Sequence, residues 1–183
     1  MQACFYAARG GHLEVVKWAR EHYELTRERV EWATCVGATS GGQLEVLKWA
    51  LEQGSPWHTW HYDTCRVAAE GGHLELLQWV REHGCPWGCG TGAVREMTKF
   101  AARKGQLEVL KWLREQGVPW GDLTCANAAL GGHLEVLKWL REHHCPWDTR
   151  GVALFWAAYT TRHNEIRQWA LAHGCPADGT ILF

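Results

Sequence analysis

The sequence predicts an all-α solenoid of about six helix–turn–helix repeats. Three observations predict it. One phrase recurs along the chain: GHLEVVKWAREH from Gly11, GQLEVLKWALEQGSPW from Gly42, GHLELLQWVREHGCPW from Gly72, GQLEVLKWLREQGVPW from Gly105, GHLEVLKWLREHHCPW from Gly132 and RHNEIRQWALAHGCPA from Arg162. The copies start 31, 30, 33, 27 and 30 residues apart. A steady period in this range marks a stacked array, because one such unit cannot bury its apolar face alone. Apolar residues within each copy fall at helical spacing, and Gly and Pro break the pattern at fixed places. The units are read as one array, with repeats at about 1–25, 26–56, 57–87, 88–119, 120–147 and 148–183.

Each unit opens with a short helix of small residues. Thr34, Thr64 and Thr124 stand at its start and are expected to cap it. Adjacent alanines (Ala7–Ala8, Ala68–Ala69, Ala101–Ala102, Ala128–Ala129) let neighbouring helices approach closely. Gly pairs at 10–11, 41–42, 71–72 and 131–132 then end it, as a turn with φ > 0 requires. Helical spacing in AVREMTKFAA and TRERVEWATC predicts that the first helix is longer in two units.

The second helix is LEVLKWLREH or a variant. In the copy at 134–142 its apolar residues span an arc of about 220°, wide enough for neighbours on two sides. Trp18, Trp49, Trp79, Trp112, Trp139 and Trp169 hold one position on that arc and are expected in the core; they are nearly half of the 13 tryptophans. Glu135 and Lys138 form an i,i+3 pair. Gly54, Gly84, Gly117 and Gly174 stop the helix, with His144 and Tyr23 in their place in two copies. Pro and usually Trp follow; the loop residues Trp57, Trp87, Trp120 and Trp147 are expected to fold back over the helix ends or to serve as contact points.

Composition and motifs exclude several classes. A formal net charge of −1 with mixed signs lacks the basic face of a nucleic-acid binder. The longest apolar run, 151–159, is far short of the roughly 20 residues of a membrane span, and the first residues do not read as a secretory signal. The eight cysteines fall in two register rows: Cys4, Cys35, Cys65 and Cys125, then Cys85, Cys145 and Cys175, with Cys89 outside. Equivalent positions in stacked helices lie about 8–10 Å apart, too far to bridge, so the rows read as small buried apolar residues in a reducing cytoplasm, with the nucleus left open. His58, His61 and Asp63 with Cys65, and His83 with Cys85 and Cys89, resemble metal clusters, but repeat register explains most of them and neither metal nor cofactor is expected. His12, His73 and His133 share one position and are expected to bond a neighbouring turn. No catalytic motif stands outside the repeat pattern, so the chain is not read as an enzyme.

The phrase G-H-L-E-V-(V/L)-K-x-(L/A), preceded by A-A-x-x-G, resembles the ankyrin repeat in its short, tryptophan-rich variety. D-T-C-R at 63–66 and L-T-C-A at 123–126 stand where ankyrin units usually carry T-P-L-H, and G-C-P-W replaces the usual G-A-D-(V/I)-N. The resemblance implies a right-angled stack with a curved concave face and a non-catalytic scaffold that binds another protein there, with no nucleic acid, membrane or small-molecule substrate as partner. On this reading the candidate contact residues are those that vary between copies, two places before the opening Gly: Arg9, Ser40, Glu70, Arg103, Leu130 and Thr160. His58, Trp60, Asp122, Asp148 and Arg150 in the loops join them. The alternative is a structural spacer, a segment of a longer ankyrin protein. Phe5, Tyr6, Phe155, Trp156 and the final ILF would then leave apolar ends that stack or join further repeats, self-associating end to end.

Overall fold

The computed structural model describes residues 2–22, 27–54, 64–87, 91–147 and 164–175. Among them lie eleven helices and no strand. In chain order these are α1 (Gln2–Arg9), α2 (Leu13–His22), α3 (Arg27–Gly41), α4 (Leu44–Glu52), α5 (Thr64–Gly71), α6 (Leu74–Glu82), α7 (Thr91–Arg103), α8 (Leu107–Glu115), α9 (Thr124–Gly131), α10 (Leu134–Glu142) and α11 (Asn164–Ala172). The expected long first helices are α3, with 15 residues, and α7, with 13, against 8 in α1, α5 and α9.

The chain forms two compact units, Met1–Ala93 and Val94–Phe183. In the first, α1 packs on α3, and α3 also meets α2, α4 and α5. Close approach there depends on missing side chains: a Cβ on Gly37 would stand 2.3 Å from the Phe5 carbonyl oxygen, and one on Gly41 2.1 Å from that of Arg9. In the second unit, a Cβ on Gly131 would likewise stand 2.1 Å from the Arg103 carbonyl oxygen.

The turn within each hairpin follows one plan. The opening Gly takes a positive φ, 81° at Gly132, and the next residue is His133 with φ −101° and ψ 79°. In four copies the residue after that Gly sits in a tight three-residue turn, the amides of Leu13, Leu44, Leu74 and Leu107 donating to the carbonyls of Gly11, Gly42, Gly72 and Gly105 at 2.9–3.1 Å. His73, His133 and Gln43 occupy the N-cap position, yet none caps its own helix with its side chain.

The buried layer of each second helix is Val or Leu rather than Trp. Val46, Leu47 and Ala50 are buried in α4, Leu76, Leu77 and Val80 in α6, Val109, Leu110 and Leu113 in α8, and Val136, Leu137 and Leu140 in α10. The tryptophan expectation is corrected here. Trp18 is 54% exposed, and Trp49, Trp79, Trp112, Trp139 and Trp169 are half-buried at the margin of the core. The arc was wide enough to hold Trp at its edge, where an indole can cover apolar surface while one face stays wet.

The threonine expectation also changes. Thr64 and Thr124 are the first residues of their helices and Thr34 lies inside α3, so none is an N-cap. Thr124 is fully buried, and its hydroxyl donates to the Gly121 carbonyl at 2.9 Å. The cysteine argument compared positions within one row, whereas contact runs between the rows. Cys65 Sγ lies 3.6 Å from Cys85 Sγ, and both are buried free thiols. That bond and burial push the Cys65 thiol well above its ordinary range, and the same bond holds Cys85 lower. Cys125 is raised in the same way by Cys145.

Candidate partner-binding residues

A contact surface needs side chains that the fold does not consume. The row two places before the opening Gly sits at the C-terminal end of each first helix, as Arg9 in α1, Ser40 in α3, Glu70 in α5, Arg103 in α7 and Leu130 in α9. Its backbone is used by the stack. His73 Nε2 donates to the Ser40 carbonyl at 3.2 Å, His133 Nε2 to that of Arg103 at 3.1 Å, and Gln43 Nε2 to that of Arg9 at 3.4 Å. Each bond joins one hairpin to the one before it. The carbonyl is common to every amino acid, so the bond leaves the side chain at that place unspecified.

The side chains then divide. Arg9 and Arg103 are exposed, each in the last turn of its helix, where a cation suits the helix dipole. Glu70 pairs with Arg66 at 3.2 Å, and the Ser40 hydroxyl turns back to the Gly37 carbonyl at 3.0 Å. Leu130 is half-buried. Within the first unit the packing of α1, α3 and α5 brings Arg9, Ser40 and Glu70 into one row. In the second unit the bond from His133 places the α9–α10 hairpin against the end of α7, which carries Arg103. Thr160, His58, Trp60, Asp148 and Arg150 lie outside the described residues.

Asp122 belongs to a different row from the others. It stands ten places before its opening Gly, a register shared with Arg95 and Trp32. Asp122 and Arg95 approach to 3.5 Å with side chains 82% and 48% exposed, a pair worth little in water. Trp32 is 49% exposed on α3. Reading this row by its distance from Gly, rather than from the preceding loop, would have found Trp32 and Arg95 together with Asp122.

The half-buried tryptophans form a third, structural arrangement. Trp120 stacks edge-on against Trp139 at 5.9 Å, and its Nε1 donates to the His143 carbonyl at 3.1 Å. Trp147 repeats this toward Trp169, at 6.4 Å, and toward the His173 carbonyl, at 3.4 Å. Trp120 and Trp147 therefore each clip their hairpin to the second helix of the following one. The guanidinium of Arg114 lies over Trp120 at 5.0 Å, and that of Arg141 over Trp147 at 4.4 Å. His143 stacks on Trp139 at 4.2 Å while its Nδ1 donates to the Trp139 carbonyl at 2.8 Å.

Among the described residues no three of His, Cys, Asp and Glu are grouped to hold a metal ion. Cys89, His58, His61 and Asp63, named in the two sequence clusters, lie outside the described residues. No helix among them is long and apolar enough to cross a membrane.

The family model described as ankyrin repeats (many copies) matches residues 97–141, which span α8, α9 and nearly all of α10. No curated protein sequence matches the chain. Among solved structures, the crystal structure of the human ASB11 ankyrin repeat domain is similar over 94% of this chain and 84% of that one, with a TM-score of 0.67 and 18% identity. The helix pairs stack through their first helices, the ankyrin-repeat model matches at 97–141, and the fold is that of an ankyrin-repeat solenoid.

Proposed function

We propose that the chain is a non-catalytic interaction module that binds another protein through the variable row at the ends of its first helices and the loops beside it. Ankyrin repeats are in general protein-interaction modules. One observation carries the assignment to this row. Its backbone carbonyls are tied to the next hairpin, at Arg9, Ser40 and Arg103, while the side chains above them differ from copy to copy. A scaffold that fixes the backbone and leaves the side chain open can change its partner without changing its stack. Arg9 and Arg103 are the anchors of this reading, since a guanidinium offers five donors to a carboxylate or carbonyl on the partner. Ser40 and Glu70 in the first unit and Leu130, Asp122 and Thr160 in the second are the further candidates of this reading, with His58, Trp60, Asp148 and Arg150.

The test is an affinity capture with the wild-type chain beside an Arg9→Glu, Glu70→Arg, Arg103→Glu variant, both confirmed helical by circular dichroism. Loss of a captured protein on the triple variant is the expected result. Retention of every captured protein by a folded variant would remove this row from the interface.

A further inference from the structure

Two buried thiols face each other inside the α5–α6 hairpin. Cys65 is the second residue of α5, and Cys85 follows the Gly84 turn after α6; their Sγ atoms lie 3.6 Å apart. The sulfurs are in van der Waals contact, and closing to the roughly 2.05 Å of a disulfide takes a movement of about 1.5 Å. The stack does not require sulfur at these places, since the α7–α8 hairpin fills them with Thr98 and Val118. Nor are the two thiols equivalent. The bond from Cys65 and the charge of Arg81 hold Cys85 below the ordinary thiol range, against its burial. Arg81 also donates to the Cys85 carbonyl, which keeps the guanidinium beside that residue. Cys65 is pushed the other way, by its bond to Cys85 and by burial. The proton the pair shares therefore rests on Cys65, and Cys85 is the nucleophile. Its sulfur is one small loop movement from solvent, because Gly84 and Pro86 on either side of it are exposed.

We propose that Cys65 and Cys85 form a dithiol site that a peroxide oxidises to a disulfide, a covalent clamp across the α5–α6 hairpin. The Cys85 thiolate attacks one oxygen of hydrogen peroxide. The S–O bond forms, the O–O bond breaks, and the departing hydroxide takes a proton from solvent and leaves as water. Cys85 is then a sulfenic acid. The Cys65 sulfur attacks Cys85 Sγ, so that the S–S bond forms and the S–O bond breaks. The second hydroxide takes the Cys65 proton and leaves as water. The pair gives up two electrons, and the peroxide takes both. A dithiol reductant reverses the link by exchange.

Peptide mapping of the full chain tests this. The dilute, folded chain is exposed briefly to hydrogen peroxide, its remaining thiols are alkylated in denaturant, and it is digested without reductant. Trypsin cuts after Arg66 and Arg81, so Cys65 and Cys85 fall in different peptides. The expected product is those two peptides joined, lighter than their sum by two hydrogen atoms and released by dithiothreitol. Fragmentation should place the bond on Cys85 and leave Cys89 alkylated. Cys4, equally buried among Ala19, Val30 and Ala33, should stay alkylated as well. A Cys65→Ser variant, confirmed helical by circular dichroism, should form no link and should leave Cys85 as a sulfenic acid that dimedone captures. Cys65 and Cys85 both recovered alkylated from the treated wild type would overturn the proposal. So would a link from Cys65 to Cys89, or oxidation of Cys4 as fast as the pair. A folded Cys65→Ser chain whose Cys85 captures no dimedone would overturn the assignment of Cys85 as the attacking thiol.

Discussion

Two hairpins of the second unit share a second helix letter for letter. LEVLKWLRE forms α8 and again α10, and the same three positions are buried in each. Everything that distinguishes the hairpins lies in the first helices and the turns. α7 has 13 residues and α9 has 8. Thr98 and Val118 in one copy stand where Cys125 and Cys145 stand in the other. Thr98 is fully buried, and its hydroxyl accepts the Gly121 amide at 3.1 Å, tying down the shortest connection in the chain. Where the connection is longer, the same place holds a thiol in contact with the loop cysteine, as Cys65 meets Cys85. The second helix is held by neighbours on both sides and tolerates little change. The turns adapt to the length of chain they must absorb.

The largest effects should separate the buried leucines from the tryptophans within this shared helix. Leu110 and Leu137 are fully buried, whereas Trp112 and Trp139 are half-buried. Leu110→Ala and Leu137→Ala should each destabilise by roughly 2–5 kcal/mol, through lost transfer energy and the cavity left behind. Trp112→Ala and Trp139→Ala should cost less, about 1–2 kcal/mol, because part of each indole already faces water. Urea unfolding of the four variants checks this. A tryptophan substitution that outweighs its neighbouring leucine would place the ring in the core after all.

A smaller effect should separate the hairpins themselves. Gly131 approaches the Arg103 carbonyl so closely that a Cβ would sit 2.1 Å from it, while the equivalent place before Gly105 holds the exposed Lys104. Gly131→Ala must push α9 away from the end of α7 and stretch the bond from His133 to the Arg103 carbonyl. Overpacking of this kind costs about 1–3 kcal/mol. Lys104→Ala should change stability by less than about 0.5 kcal/mol. Equal effects at the two positions would mean that close approach does not set the requirement for Gly131.

Repeat spacing made the fold legible, since the period, the helix boundaries and the long α3 and α7 all follow from where Gly, Pro and the apolar residues fall. The bonds of His73 and His133 were legible too, because a polar residue repeated at one turn must meet something that also repeats. Two features were not. Position on a wide apolar arc does not say which residues reach the centre, and the helix directions place Leu137 and Leu140 there with Trp139 at the margin. Register within one cysteine row says nothing of contact between rows, which depends on how the loop after α6 returns Cys85 to the start of α5. For the candidate site, the sequence marked which positions vary. It could not reveal that the backbone carbonyls of Arg9, Ser40 and Arg103 accept bonds from the next hairpin.

The finest contrast between the two hairpins is the residue that ends the second helix. Gly117 ends α8 with φ 74°, and His144 ends α10 with φ 59°. Both therefore take the left-handed conformation. Both turns make the same bonds: Val118 and Cys145 donate to the carbonyls of Leu113 and Leu140 at 3.0 and 2.9 Å. The fold over-determines this turn through the buried Cys145 and the loop Trp147 that clips onto the next hairpin, so a non-glycine residue is held there. Holding a side chain in that region costs about 1 kcal/mol relative to Gly. His144 is exposed, so removing its ring leaves no cavity. His144→Gly should therefore raise stability by about 0.5–1 kcal/mol, and Gly117→Ala should lower it by a similar amount. Melting curves of the two variants, read against wild type, check both signs. If His144→Gly fails to stabilise, the imidazole itself must contribute to the turn, and the matched bonds of the two hairpins would not be equivalent.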